Sequence, residues 1–154
     1  DIWAKKPDGI YADISWVGIL APEVPPEVAR VFSAVTAARD GCIDFINSRL
    51  SQGQQVEGRD VDAHARGILE EQGYLRYVQH RTGHSIDTAS HGAGVNLDAS
   101  EFPDPRKLIE GACFSVEPGI YLDAFGVRTE INAYIQNKKA VVSGGEPQQQ
   151  ILTL

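Results

Sequence analysis

Val116-Glu117-Pro118-Gly119-Ile120-Tyr121 and Gly126-Val127-Arg128-Thr129-Glu130, separated by Leu122-Asp123-Ala124-Phe125, decide how this 154-residue chain folds. The turn signal Asp123-Ala124-Phe125-Gly126 lies midway between Glu117 and Glu130, so a β-hairpin brings the two carboxylates face to face across its strands. Alternation agrees: Val127, Thr129, Ile131, Ala133 and Ile135 fall on one face, and Arg128, Glu130, Asn132 and Tyr134 on the other. The first face suits a core and the second a polar concavity. Ala112, Phe114 and Val116 oppose Cys113, Ser115 and Glu117 in the same way, with Pro118-Gly119 bending the chain straight after Glu117.

A second pair repeats the arrangement near residue 1. Pro7-Asp8-Gly9 is a turn signal between Asp1 and Asp13, with Asp8 the turn residue, and it predicts a hairpin from residues 1–6 and 10–20 in which Asp1 faces Asp13. Like charges opposed across strands destabilise a sheet, and divalent cations are the usual compensation, since hard carboxylate oxygens bridge two ions about 3.5–4 Å apart. Between the pairs, Val28, Val31, Phe32, Val35, Ala38, Cys42, Ile43 and Ile46 follow helical spacing from Pro25-Pro26 to about Leu50. A further helix is predicted from about Gly58 to Gln72, closed by Gly73. Strands are expected around 77–79 and 84–86, at 112–116, across 127–135 and at 139–143.

Composition bounds the rest. With 42% hydrophobic residues the chain can bury one core, and residues 1–154 read as a single domain. A net charge of −7 argues against nucleic acid or an anionic membrane as partner. No apolar run reaches the length of a membrane span, and Cys42 and Cys113, both in apolar surroundings, read as core residues rather than a disulfide framework. The expectation is a cytoplasmic protein.

Gly83-His84-Ser85-Ile86, His91 seven residues after His84, the Glu117 and Glu130 segments, Asp1-Ile2-Trp3-Ala4-Lys5 and Tyr11-Ala12-Asp13-Ile14-Ser15 resemble, in order as well as residues, the pita-bread metallopeptidases. The resemblance covers nearly the whole chain. Its wording is nearer to Xaa-Pro aminopeptidases and Xaa-Pro dipeptidases than to methionine aminopeptidases. It implies an α+β pita-bread fold, an antiparallel sheet packed on two helices, of which the first part is expected to be missing here. It implies two divalent metal ions, manganese in preference to cobalt, zinc or iron, held by Asp1, Asp13, His84, Glu117 and Glu130. The implied reaction is hydrolysis of an Xaa-Pro bond in a short peptide by a metal-bridging hydroxide. Glu117 would shuttle the proton, and His80 and His91 would contact substrate and stabilise charge. Arg128, on the Glu130 face, is read as a buried clamp on the carboxylates or a substrate group in preference to a surface charge, and Tyr121 either as a core residue or as bringing its hydroxyl to the site. A homodimer is expected for the full-length protein, and a chain that begins at its own metal ligand is expected to be a poor peptidase by itself.

Two positions depart from the family pattern: Asp87 stands where a second glycine is usual, and Gly92 follows His91 where glutamate is usual. Neither is a metal ligand in the family, so the departures bear on substrate preference. Asp87 is read as a local salt bridge, a repulsive charge for acidic substrates, or a solvated loop residue. Gly92-Ala93-Gly94-Val95-Asn96 is expected to be a close-approach loop. The competing readings are a non-catalytic pita-bread module that binds peptides or proteins, an inert fragment, and a metal-free amidinohydrolase of the creatinase type. A complete ligand set argues against all three.

Overall fold

Pro26 opens the longest element of the computed structural model, which describes residues 1–154: helix α1, Pro26–Ser51, with proline in its first turn where no N–H is needed. Helix α2, Gly58–Glu71, begins with a reciprocal capping box between Glu57 and Asp60. It ends as Gly73 takes a left-handed φ of 81° and Tyr74 N–H reaches back to the Leu69 carbonyl at 2.8 Å. Gly58 is required at its position, because a Cβ there would stand 1.9 Å from the Asn96 carbonyl oxygen. The two helices pack on each other, and α1 also on strands of the C-terminal half, in a core that includes Val31, Val35, Ala38, Ile46, Val61, Ala65 and Leu69. Val35, Ile46 and Leu69 are at most 1% exposed, and each side chain contributes about 1.5–3 kcal/mol on burial. Arg39, on the same buried stripe of α1, is fully buried as well, which helical spacing alone did not foretell.

The strands are β1 (Ile2–Ala4), β2 (Ala12–Ile14), β3 (Gly18–Ile19), β4 (Cys113–Val116), β5 (Gly119–Tyr121), β6 (Gly126–Arg128), β7 (Ile131–Gln136), β8 (Lys139–Ser143) and β9 (Leu152–Thr153). β4, β7 and β8 form an antiparallel sheet in the order β4-β7-β8, β1 pairs with β2, β5 with β6, and β3 runs parallel to β9. No helix is long and apolar enough to cross a membrane.

Register decides what the hairpins present. Val116 pairs with Ile131 in one ladder and Gly119 with Arg128 in the next, so the two ladders share one register and Glu117 and Glu130 oppose each other in the break between them. Pro118, which has no N–H, interrupts the pairing there, and the expected continuous strand over 127–135 is therefore two. Glu130 N–H turns instead to the Ser15 carbonyl at 3.0 Å.

In the first hairpin the register differs from the symmetric expectation. Trp3, not Asp1, pairs with Asp13. Asp8 takes a left-handed φ of 61°, and Gly9 N–H bonds to the Lys6 carbonyl, so Pro7 and Asp8 form the centre of the turn and the reversal falls later than assumed. Asp1 consequently lies diagonal to Asp13 on the same face. The hairpin strands are also much shorter than 1–6 and 10–20, and no strand forms at 77–79, where a one-turn 3-10 helix, Leu75–Tyr77, ends instead. Residues 82–86 do run beside β4, with Glu117 N–H to the Thr82 carbonyl and Ser115 N–H to the His84 carbonyl. His84 N–H is diverted to Ser115 Oγ at 3.0 Å, so a full ladder does not form.

Candidate metal centre

Three segments converge on one polar cavity of about 490 Å³: β1-β2, residues 80–91, and the break between the β4-β7 and β5-β6 ladders. Asp1, Trp3, Asp13, His80, His84, His91, Glu101, Glu117, Arg128 and Glu130 are among its lining residues. Ligand atoms of Asp13, His84 and Glu130, all buried, lie within 4.8 Å of one another. His84 Nε2 stands 3.3 Å from Glu117 Oε1 and 3.6 Å from Asp13 Oδ2.

Local bonding orients each group. His84 Nδ1 lies 3.1 Å from the Ser85 carbonyl, which can only accept, so Nδ1 carries the proton and Nε2 offers its lone pair to the cavity. Gly83 permits this approach, because a Cβ there would sit 2.0 Å from the Ser115 carbonyl oxygen. The Asn132 side-chain amide holds Asp13 at both backbone positions, accepting from its N–H at 2.8 Å and donating to its carbonyl at 2.6 Å. Ser15 Oγ donates to Glu130 Oε2 at 2.9 Å, and Ser115 Oγ to Glu117 Oε1 at 3.3 Å. Glu130 Oε1 is buried without a hydrogen-bond partner.

The electrostatics of this arrangement are unfavourable without a cation. Burial, with the charge on Asp13 adding to it, pushes Glu117 up to about 7; burial, then Glu117 and Asp13, push Glu130 up to about 8. Burial also raises Asp13 and drives His84 down to about 4. An orphaned buried oxygen, two carboxyls raised in this way and an unprotonated imidazole nitrogen aimed at them form a donor set that fits a divalent cation.

The same shifts set the pH dependence of stability. Above the ordinary glutamate value of 4.5, Glu117 and Glu130 keep protons in the fold that the unfolded chain has released, so stability falls as pH rises towards 7 and 8. His84 acts oppositely, but only below its ordinary value of 6.5. Chelator-treated protein is therefore expected to lose thermal stability between pH 6.5 and 8, by at most about 1.4 kcal/mol per pH unit for each carboxyl. Manganese should flatten the slope. Melting curves that are level over this range in chelator would contradict the buried carboxyl cluster.

The remaining predicted residues are placed as follows. Asp1, with its side chain 46% exposed, pairs with Arg128 and lies outside the three-residue cluster. The Arg128 guanidinium also donates to Ser15 Oγ at 3.3 Å, so it reaches Asp1 directly and Glu130 through one hydroxyl. His80 Nδ1 donates to the Arg81 carbonyl at 2.7 Å, which leaves Nε2 to accept the Tyr121 hydroxyl at 2.6 Å. The exposed His91 ring packs on His84 with centroids 4.1 Å apart. Asp87 is a loop organiser: its carboxylate accepts from Ala89 and Ala93 N–H, which holds it below the usual aspartate range. Gly92 and Gly94 are close-approach positions, since a Cβ would stand 2.6 Å from Asp87 and 2.5 Å from Ser85 respectively. Ser15, Ser115 and Asn132 were not singled out from sequence. Their alternation with the acids placed Ser115 and Asn132 on the polar face, but only the fold shows what they grip.

The chain is 30% identical over 126 residues to the Xaa-Pro dipeptidase of Lactobacillus delbrueckii subsp. lactis, covering 78% of this chain and 30% of that protein. It is 30% identical over 131 residues to the probable dipeptidase PepE of Mycobacterium tuberculosis, covering 84% and 32% respectively. The solved dipeptidase PepE from Mycobacterium ulcerans superposes with a TM-score of 0.82 at 29% identity, over 99% of this chain and 38% of that one. The X-Pro aminopeptidase from Thermotoga maritima gives 0.80 at 27%, over 94% and 38%. The fold is thus the α+β pita-bread architecture, and the chain spans about a third of the length of the curated relatives it matches. The family profile described as metallopeptidase family M24 matches residues 1–137, and the chain belongs to that family.

Proposed function

We propose that this chain carries the dinuclear metal centre of an exopeptidase that hydrolyses short peptides at an Xaa-Pro bond. The observation that carries this reading is the convergence of Asp13, His84 and Glu130 within 4.8 Å, with Glu117 beside them, on the wall of an open polar cavity. Asp13 and Glu130 would bridge two divalent cations, with His84, Glu117 and Asp1 completing the set once Asp1 is released from Arg128. Such cations supply a water of lowered pKa and polarise a carbonyl. Glu117, hydrogen-bonded by Ser115 and facing the cavity, would take the proton of the attacking water and return it to the leaving amine. His80 and His91 line the space for the peptide, with His80 Nε2 held by the Tyr121 hydroxyl behind it. Arg128 would hold the acid side of the site in place. Manganese is the favoured ion among oxygen-preferring metals, with cobalt, zinc or iron alternatives. Xaa-Pro preference is supported by the names of several relatives, including the Lactobacillus protein.

The test is release of proline from an Xaa-Pro dipeptide, against an Xaa-Ala control, by the 154-residue chain and by any longer polypeptide that contains it. Manganese- or cobalt-dependent release that favours the proline substrate and stops in chelator is expected. Metal binding without turnover in every form would favour the peptide-binding alternative.

A further inference from the structure

Asp62 is an aspartate with no solvent exposure, in the middle of α2, away from the cavity wall. All four hydrogen bonds to its carboxylate are accounted for. Oδ1 accepts from Thr82 N–H at 2.9 Å and Thr82 Oγ1 at 2.6 Å, and Oδ2 accepts from Ala99 N–H at 2.7 Å and Arg66 Nε at 2.8 Å. Arg66, one helical turn on, sends Nη2 to the His80 carbonyl at 3.0 Å and to Ser100 Oγ at 2.8 Å. One ion pair, its aspartate fully buried and its arginine partly so, therefore grips two segments at once: residues 80–82, next to His84, and residues 99–100, next to Glu101 on the cavity wall.

The grip reaches the acids within two further bonds. The Thr82 carbonyl accepts Glu117 N–H at 2.7 Å, and Thr82 lies two residues before His84. α2 is itself anchored by Val61, Ala65 and Leu69 in the core, so the pair transmits a rigid position. Burying the Asp62 charge is a poor way to gain stability, because desolvation offsets the attraction of its partner. Its value here lies in where its bonds end.

The geometry points to Asp62 and Arg66 as positioning residues for the metal centre, fixing His84 and Glu117 through Thr82 and the His80 wall through its carbonyl. This inference rests on the metal-centre reading above. Asp62→Asn keeps the shape and the Oδ1 acceptor but sets an amide donor against Arg66 Nε and Ala99 N–H.

Cobalt binding to the 154-residue chain, followed by calorimetry and by the visible d–d bands that report coordination, provides the test. Asp62→Asn, folded by circular dichroism, is expected to bind cobalt about 10- to 100-fold more weakly, with altered bands. Thr82→Val, which loses only the hydroxyl bond, should weaken binding in the same direction, and Thr82→Ser should restore it. Asp40→Asn, at a half-buried partner of Arg39 remote from Asp62 and Thr82 in the bonding described, should bind normally. A folded Asp62→Asn protein with unchanged affinity and bands would overturn the positioning role; if that variant does not fold, unchanged binding by Thr82→Val does so. Absence of cobalt binding by the unsubstituted chain would instead overturn the metal-centre reading itself.

Discussion

Glu130→Gln is expected to reduce divalent-metal affinity by more than about 100-fold, since losing a ligand must exceed the 10- to 100-fold typical of losing a residue that supports one. Glu130 is central to the cluster. Its ligand oxygen lies within 4.8 Å of those of Asp13 and His84, it opposes Glu117 across the hairpin break, and its Oε1 has no protein partner. The amide retains the volume and can still accept from Ser15 Oγ, but it removes the negative charge that makes a bridge between two cations favourable. Asp13→Asn should act similarly, its backbone remaining clamped by Asn132. Glu130→Gln also removes the carboxyl that burial, Glu117 and Asp13 raise to about 8, so metal-free Glu130→Gln protein should be at least as stable as the parent at pH 8, although it binds metal poorly. Metal analysis and melting curves on one preparation read both effects. Full metal occupancy in Glu130→Gln and Asp13→Asn alike would remove the bridging assignment.

The second large effect separates two histidines whose rings touch. His84→Ala should abolish metal binding and turnover together, because its Nε2 is aimed at Asp13 and Glu117 and its ring is fixed from behind by Ser85. His91→Ala should retain metal while turnover falls by about 10²- to 10⁴-fold, the range for a group that donates or accepts a proton at the reacting centre. His91 projects from a loop held independently by Asp87 and by Gly92 N–H on the Ser85 carbonyl. His84, for its part, keeps its bonds to Ser115 and Ser85 when His91 is removed. Calorimetric metal titration of both variants, alongside turnover in the longest active form, distinguishes the roles. Equal loss of metal would show that the two rings act as one ligand unit.

Local sequence rules determined most of the scaffold and one side of the site. Proline at the start of α1, Gly73 after α2, and period-two alternation after Gly126 each act over a few residues, and each holds in the fold. The opposition of Glu117 and Glu130 was legible for the same reason, since a hairpin's register follows from the residues between its strands. The same logic failed by two residues of register at Asp1 and Asp13, where the left-handed φ of Asp8, a detail of turn geometry, moved the reversal.

What only the tertiary structure decided lies in contacts between distant segments. Asn132 clamps Asp13 across 119 residues, Ser15 reaches Glu130 across 115, and Asp62 grips Thr82 and Ala99 from another layer. No spacing rule encodes these partners. Which polar side chain is buried, and which carboxyl is left without a donor, follows from packing the helices, the 80–91 segment and two hairpins against one another, because desolvation and charge proximity exist only once those pieces meet.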